Sequence, residues 1–299
     1  MRGSCLRVLG WLALVSCASE PPLRSTPVVV LPSASSATPL AVASTAPLDL
    51  PGIDTSNLDA RERAEWSGLV HELMAPCPST AVPLDQCILN KPGCRTCAPA
   101  AAWVARAVRD GKGEGEIHAA YTARFDPSTL KTLPLDGSPM KGSPAASVTI
   151  VEFVDLECPH CRIAAAMVDR LVADHPATVR LVFKSYPISF HAHAEAAARA
   201  AFAAGLQGKF WEMERALLDG QDHLEARDLE DQARALKLDV PRWRADMASP
   251  AVVNRVAEDR RLGEELRIKG TPTFYVDGRE VDFESDTIED RVREALEGL

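Results

Sequence analysis

The run VTIVEFVDLECPHC, residues 148–161, decides how the rest of the chain is read. Val148 to Val154 is apolar and β-branched almost throughout, the composition of a strand buried on both faces at the centre of a sheet. Cys158 and Cys161 follow at once, and then Met167, Val168, Leu171 and Val172 recur at helical spacing, so the cysteine pair sits where a strand hands over to a helix. Two side chains at i and i+3 of a first helical turn share a face and can bond, and Pro159 fits there because the N–H it lacks would have no partner. Free N–H groups and the positive end of the helix dipole favour a thiolate on Cys158, which makes it the attacking group; a protonated His160 adds to the effect. Cys161, one turn in, is expected to be more buried and to act as the resolving thiol that releases a mixed disulfide. The competing readings are an inert staple and half of a zinc site. For zinc a second ligand pair is needed, and His175 stands alone while His191 and His193 lie far along the chain.

Downstream, Thr178 to Phe183 reads as a second strand. About His191 to Ile268 is helical, broken near Gly205, Gly208, Gly220, Pro241 and Pro250. Pro272 to Val276 and Glu280 to Phe283, joined through Asp277-Gly278, carry the signal of a hairpin with a type I′ turn, and Asp286 to Leu296 closes the chain as an amphipathic helix. Strands alternating with helices define an α/β fold.

Several of these segments together carry a resemblance. Ile150 to Val154 ahead of Cys158-Pro159-His160-Cys161, then Phe183-Lys184-Ser185-Tyr186-Pro187, Gln207-Gly208-Lys209-Phe210-Trp211 and Gly270-Thr271-Pro272-Thr273-Phe274, resemble the DsbA-like branch of the thioredoxin superfamily over about residues 140–299. The resemblance implies a thioredoxin-like α/β fold with an inserted helical domain at about 190–268, and thiol-disulfide oxidoreductase activity. It implies that Pro272 is a cis-proline facing the cysteine pair, that Thr271 offers its backbone to a substrate strand, and that Glu152 is a buried acid assisting proton transfer at Cys161. The alternatives are that Pro272 is a trans proline opening an edge strand, and Glu152 an acid on an exposed strand face. Burial of Glu152 would raise its pKa toward neutrality, as a proton shuttle requires. Glu157 departs from the pattern, since a negative charge before Cys158 opposes its ionisation.

Upstream, residues 55–126 form a small helical unit. Arg61 to Met74, capped by Ser56 or Asn57, Pro99 to Arg109, and Glu114 to Phe125 are its three expected helices. It carries Cys77, Cys87, Cys94 and Cys97. They fit two structural disulfides in any of three connectivities, a second redox pair at Cys94-Arg95-Thr96-Cys97, or zinc ligands. That CxxC ahead of a helical bundle is faintly similar to CcmH-type apocytochrome thiol proteins. Residues 127–147 read as a linker, as do residues 17–54, rich in Pro, Ser, Thr and Ala.

At the N-terminus, Arg2 and Arg7 precede an apolar run from Val8 to Val15 that is too short to span a bilayer, the pattern of a signal peptide over 1–16. Leu14-Val15-Ser16-Cys17 resembles a bacterial lipobox, which would make Cys17 the lipidated residue of a membrane-anchored lipoprotein; an ordinary cleaved signal peptide is the alternative. Either way the protein is exported to the cell envelope, on the periplasmic side. With Cys5 and Cys17 set aside, six cysteines remain, an even number suited to an oxidising compartment.

The 299 residues, 46% hydrophobic and 25% charged, suffice for one or two domains, and a net charge of −9 without a basic stripe argues against nucleic acid. The expected partners are exported polypeptides bearing thiols or disulfides and a membrane redox partner that recycles the pair. The Cys158–Cys161 disulfide stands in place of a cofactor and no metal is expected. A different class of reading keeps the fold as a non-catalytic adaptor or assembly factor. Oxidase, reductase and isomerase directions are all open.

Overall fold

The central run forms the centre of the sheet. The computed structural model describes residues 48–90, 93–283 and 287–298, so the leader, Cys17 and most of the proposed tether lie outside the described residues. Strand β2 (Val148–Val154) pairs in parallel with β3 (Val179–Ser185) and antiparallel with β4 (Thr273–Val276); with β1 (Met140–Gly142) and β5 (Arg279–Glu280) the sheet has five strands among the described residues, in the order β1-β3-β2-β4-β5. Being paired on both edges and covered on both faces explains the unbroken apolar composition of β2. Helix α5 (Pro159–Asp174) follows directly and packs Ala164, Val168 and Val172 over Val148 and Ile150. On the opposite face, Val151 and Phe153 meet Tyr275, Ile268 and Tyr186.

Between β3 and β4 come five helices, α6 (Ala194–Gly205), α7 (Phe210–Asp219), α8 (Ala226–Ala235), α9 (Val240–Met247) and α10 (Pro250–Glu265). This is the helical insertion implied by the resemblance, and the fold is thioredoxin-like. Pro241 and Pro250 fall in the first turns of α9 and α10, where a missing N–H costs nothing. At Asp277 and Gly278, φ is 47° and 80°, the two positive values a type I′ turn requires, before β5 (Arg279–Glu280) and the closing α11 (Ile288–Glu297).

The helical unit has four helices among the described residues, not three: α1 (Ala60–Glu72), α2 (Leu84–Asn90), α3 (Cys97–Arg109) and α4 (Glu114–Phe125). Helix α2 spans only seven residues inside a Pro- and Cys-rich stretch, too short to show a period. Asp59, not Ser56 or Asn57, caps α1, because Glu62 three residues on completes a capping box with it. Trp66, Leu84, Val104, Ile117 and Phe125 form the core of the unit.

Two stretches read as linker are structured. Leu50 and Ile53 are buried against the helical core, so ordered packing begins before residue 55. Within 127–147, β1 (Met140–Gly142) pairs antiparallel with β3 at the edge of the sheet, and Leu133 and Leu135 pack beneath it. A three-residue strand is too short for alternation to declare it. The helical unit docks on the sheet through Arg279, whose guanidinium donates to the carbonyls of Pro76 and Asp126 at 2.6 and 3.0 Å.

Candidate active site

Cys158 ends the β2–α5 loop as the N-cap of α5, and Cys161 lies within the first turn. Both are free thiols, 4% and 0% exposed. The sheet brings a distant segment to them. Phe153 is opposite Thr273, so the chain just before β4 passes the end of β2, and the Cys158 Sγ lies 3.2 Å from the Thr271 carbonyl oxygen. The Thr271–Pro272 peptide is cis.

The two thiols are driven apart electrostatically. Hydrogen bonding from the Cys161 thiol, then from Thr271 and from the N–H groups of Cys161 and His160, outweighs burial and holds the Cys158 pKa down to about 4. Cys161 goes the other way: burial, the hydrogen bond to Cys158 and the nearby charge of Glu152 push its pKa far above the usual thiol range. Cys158 is therefore a thiolate at neutral pH beside a thiol that keeps its proton. His160 contributes through its backbone; its side chain is exposed.

Glu152 lies on the central strand, 4% exposed, on the same face as Val148 and Ile150 and so beneath α5. Burial raises its pKa well above the ordinary carboxylate value, reinforced by Glu214 and Asp169 and opposed by Lys141 and Arg215. Glu214 on α7, also buried, is raised to about 7 for the same first reason. The sequence reading passed over Glu214, whose only signal is an acid on the apolar face of a helix beside Met213 and Leu217.

Glu157 turns out to be paired. Its carboxylate accepts from the His193 N–H at 2.7 Å and lies 3.1 Å from His193 Nδ1, and this contact raises the His193 pKa. His193 is the N-cap of α6 and His191 lies ahead of the helix. His191 Nδ1 instead lies 2.9 Å from Asp155 Oδ2. Asp155, 1% exposed, also accepts from the N–H groups of Glu157 and Ile188 at 2.8 and 2.7 Å and fixes the loop ahead of Cys158. Gln221 closes that loop from the insertion, donating through Nε2 to the carbonyls of Leu156 and Cys158 at 3.0 and 2.8 Å. Neither Asp155 nor Gln221 was foreseen.

A cleft of about 470 Å³ opens beside Cys158, lined by Tyr186, Ile188, Phe190, Ile268 and Thr271 among others. Phe190 at its rim is 77% exposed, and Ile163 on α5 is 70% exposed.

The other four cysteines pair as Cys77–Cys94 and Cys87–Cys97. Each bridge ties a residue before or within α2 to the start of α3, and in this state none of the four offers a thiolate to zinc.

A strand-to-helix CxxC pair, one sulfur ionised and one held protonated, beside the cis Thr271–Pro272 peptide of a thioredoxin-like sheet, is an arrangement chemically suited to thiol–disulfide exchange. The chain belongs to the thioredoxin family: the family model described as Thioredoxin matches residues 135–297. Among curated proteins it is 41% identical over 145 residues to the Na(+)/H(+) antiporter NhaA 3 of Salinispora tropica, an alignment covering 48% of this chain and 22% of that protein. The chain thus spans about a fifth of the length of that relative. Among solved structures it is similar to a thioredoxin-like oxidoreductase from Silicibacter pomeroyi, with 34% identity, 54% of this chain and 91% of that one covered, and a TM-score of 0.49. It is also similar to oxidised BdbD from Bacillus subtilis, with 22% identity, 57% and 97% covered, and a TM-score of 0.49. Among the described residues no helix is long and apolar enough to cross a membrane.

Proposed function

We propose that this protein is a thiol–disulfide oxidoreductase of exported polypeptides, with Cys158 as nucleophile and Cys161 as resolving thiol. The observation that carries the reading is the opposed ionisation of the two sulfurs, with the Cys158 pKa near 4 and that of Cys161 far above it. In the oxidising direction a substrate thiolate attacks Cys158 Sγ, the bond to Cys161 breaks, and Cys161 leaves with the electron pair and takes up a proton. A second substrate thiolate then attacks the substrate sulfur of the mixed disulfide, and Cys158 departs as a stable thiolate. Run backwards, the same atoms reduce a substrate disulfide. Stabilising the Cys158 thiolate stabilises the reduced protein and so favours the oxidising direction. The pairing of Glu157 with His193 weakens the opposition that its charge offers to that thiolate.

Glu152 is the group placed to exchange a proton with Cys161, since a carboxyl with a raised pKa can both give and take one near neutral pH. Pro272 and Thr271 border the sulfur on the substrate side, where the Thr271 backbone can pair with an extended peptide and apolar side chains can enter the cleft at Phe190. In the same reading residues 1–16 are a signal peptide, Cys17 carries a lipid, and the following segment tethers the folded part on the periplasmic side within reach of a membrane partner that reoxidises the pair.

The deciding experiment is the reduction potential of the Cys158/Cys161 couple against glutathione, with oxidative refolding and insulin reduction assayed in parallel. An oxidising potential and refolding activity abolished by Cys158→Ser is the expected result. Full retention of activity or partner binding by Cys158→Ser would mean an adaptor instead.

A further inference from the structure

The helical unit repeats, in sequence, the CxxC spacing of Cys158 and Cys161 ahead of a helix. Cys94 and Cys97 are three apart, Cys97 opening α3 and Cys94 lying just ahead of it, the Cys97 N–H donates to the Cys94 carbonyl at 3.3 Å, and the corresponding bond from Cys161 to Cys158 measures 3.1 Å. Yet each is bonded elsewhere, Cys94 to Cys77 and Cys97 to Cys87. The two bridges touch. Cys94 Sγ lies 3.1 Å from Cys97 Sγ, so a sulfur set free in one bridge is already in contact with a sulfur of the other. The bridges also differ in access: Cys77 and Cys94 are partly exposed, while Cys87 and Cys97 are 0% and 1% exposed. A cleft of about 270 Å³ opens at Cys77, with Arg95 and Thr96 among its walls, giving a small thiol a route to the outer bridge only.

We propose that these four cysteines are a second thiol–disulfide exchange centre, in which opening the outer bridge transfers the remaining disulfide to Cys94 and Cys97. An incoming thiolate, formed from a thiol that gives up its proton, attacks Cys77 Sγ; the Cys77–Cys94 bond breaks and Cys94 leaves with the electron pair. Cys94 then attacks Cys97 Sγ, the Cys87–Cys97 bond breaks, and Cys87 leaves with its electron pair and takes up that proton, as its burial favours the neutral thiol. A second thiol resolves the mixed disulfide at Cys77. In total two thiols are oxidised to their disulfide, Cys77 and Cys87 become thiols, and one protein disulfide remains, between Cys94 and Cys97.

The test uses the full chain carrying Cys158→Ser and Cys161→Ser, so that its failure leaves the function proposed for that pair untouched. The oxidised protein is exposed to limiting glutathione, quenched in acid, alkylated and mapped by mass spectrometry; trypsin cuts after Arg95 and places Cys97 on a peptide apart from the other three cysteines. The expected first product is alkylated at Cys77 and Cys87 with Cys94 and Cys97 joined. A first product alkylated at Cys77 and Cys94 with the inner bridge intact overturns the proposal, as does resistance of both bridges in the folded protein. Cys77→Ala in the same background gives an equilibrium check without added thiol: alkylation of Cys87 supports the transfer, alkylation of Cys94 alone refutes it.

Discussion

Replacing Cys161 with Ala tests the electrostatic core of the site, because the thiol of Cys161 makes the largest contribution to the low pKa of Cys158. A hydrogen bond to a charged acceptor is worth about 1.5–3 kcal/mol. Losing it should move the Cys158 midpoint from about pH 4 to roughly pH 5–6, at 1.36 kcal/mol per pH unit. The remaining N–H groups of α5 and Thr271 keep it below the ordinary thiol range. No disulfide can form within this pair in the variant, so ultraviolet absorbance of the thiolate and the rate of iodoacetamide alkylation against pH each report one sulfur. The reduced wild type supplies the reference and also a linked stability test. A depressed pKa stabilises the reduced protein fully above the unfolded thiol value, roughly 8.5, and this contribution is lost as pH falls through the folded value. The melting temperature of the reduced form should therefore gain on that of the oxidised form as pH rises from 4 to 8. A variant midpoint unchanged from that of the wild type, or a wild-type midpoint near 8, would refute the reasoning.

Glu152→Gln removes a buried acid whose raised pKa makes its ionised form a burden at high pH, so the variant should melt higher than wild type at pH 8 while releasing Cys161-dependent mixed disulfides more slowly in stopped-flow quench; equal release rates would remove Glu152 from the proton path. Gln221→Ala deletes two hydrogen bonds to the loop ahead of Cys158 and should lower stability by about 1–2 kcal/mol in urea unfolding; an unchanged urea midpoint would show that these bonds do not hold the loop. Gly263→Ala would place a Cβ 2.4 Å from the Tyr186 ring and should cost about 1–3 kcal/mol, read as a lower urea midpoint, because Tyr186 is held between α10 and the sheet.

How much of this was legible in the sequence depended on the range over which each signal acts. The central strand, the CxxC pair, the inserted helices and the hairpin at Asp277-Gly278 are announced by residues within a few positions of one another, by β-branched runs, Pro and Gly punctuation and a turn pair that needs positive φ. Pro272 was found through its resemblance, since nothing local distinguishes a cis-proline from a proline that opens an edge strand. The features missed are short or long-range. Helix α2 and strand β1 contain seven and three residues, below one clear hydrophobic period. Residues 48–54 and 127–147 looked like linker because loop composition does not reveal which single leucine or isoleucine finds a core.

The missed residues of the site share one property: each acts on the cysteine loop from across the fold. Asp155 holds Ile188 and His191, 33 and 36 positions away, and Gln221 holds Leu156 and Cys158 from 65 and 63 positions away. The charge of Glu157, read from sequence as a force against ionisation of Cys158, is met by His193, 36 positions on. In each case the partner comes from beyond β3 or from the insertion, so the helical layer does more than cover the sheet. It provides hydrogen bonds that fix the loop and the imidazole that meets its nearest acid. A thioredoxin-like sheet with the same CPHC motif but a different insertion would keep the Cys161 thiol and the helix N–H groups that ionise Cys158 and lose these supports, so the motif sets the ionisation of the pair while the segments beyond β3 hold the loop that carries it.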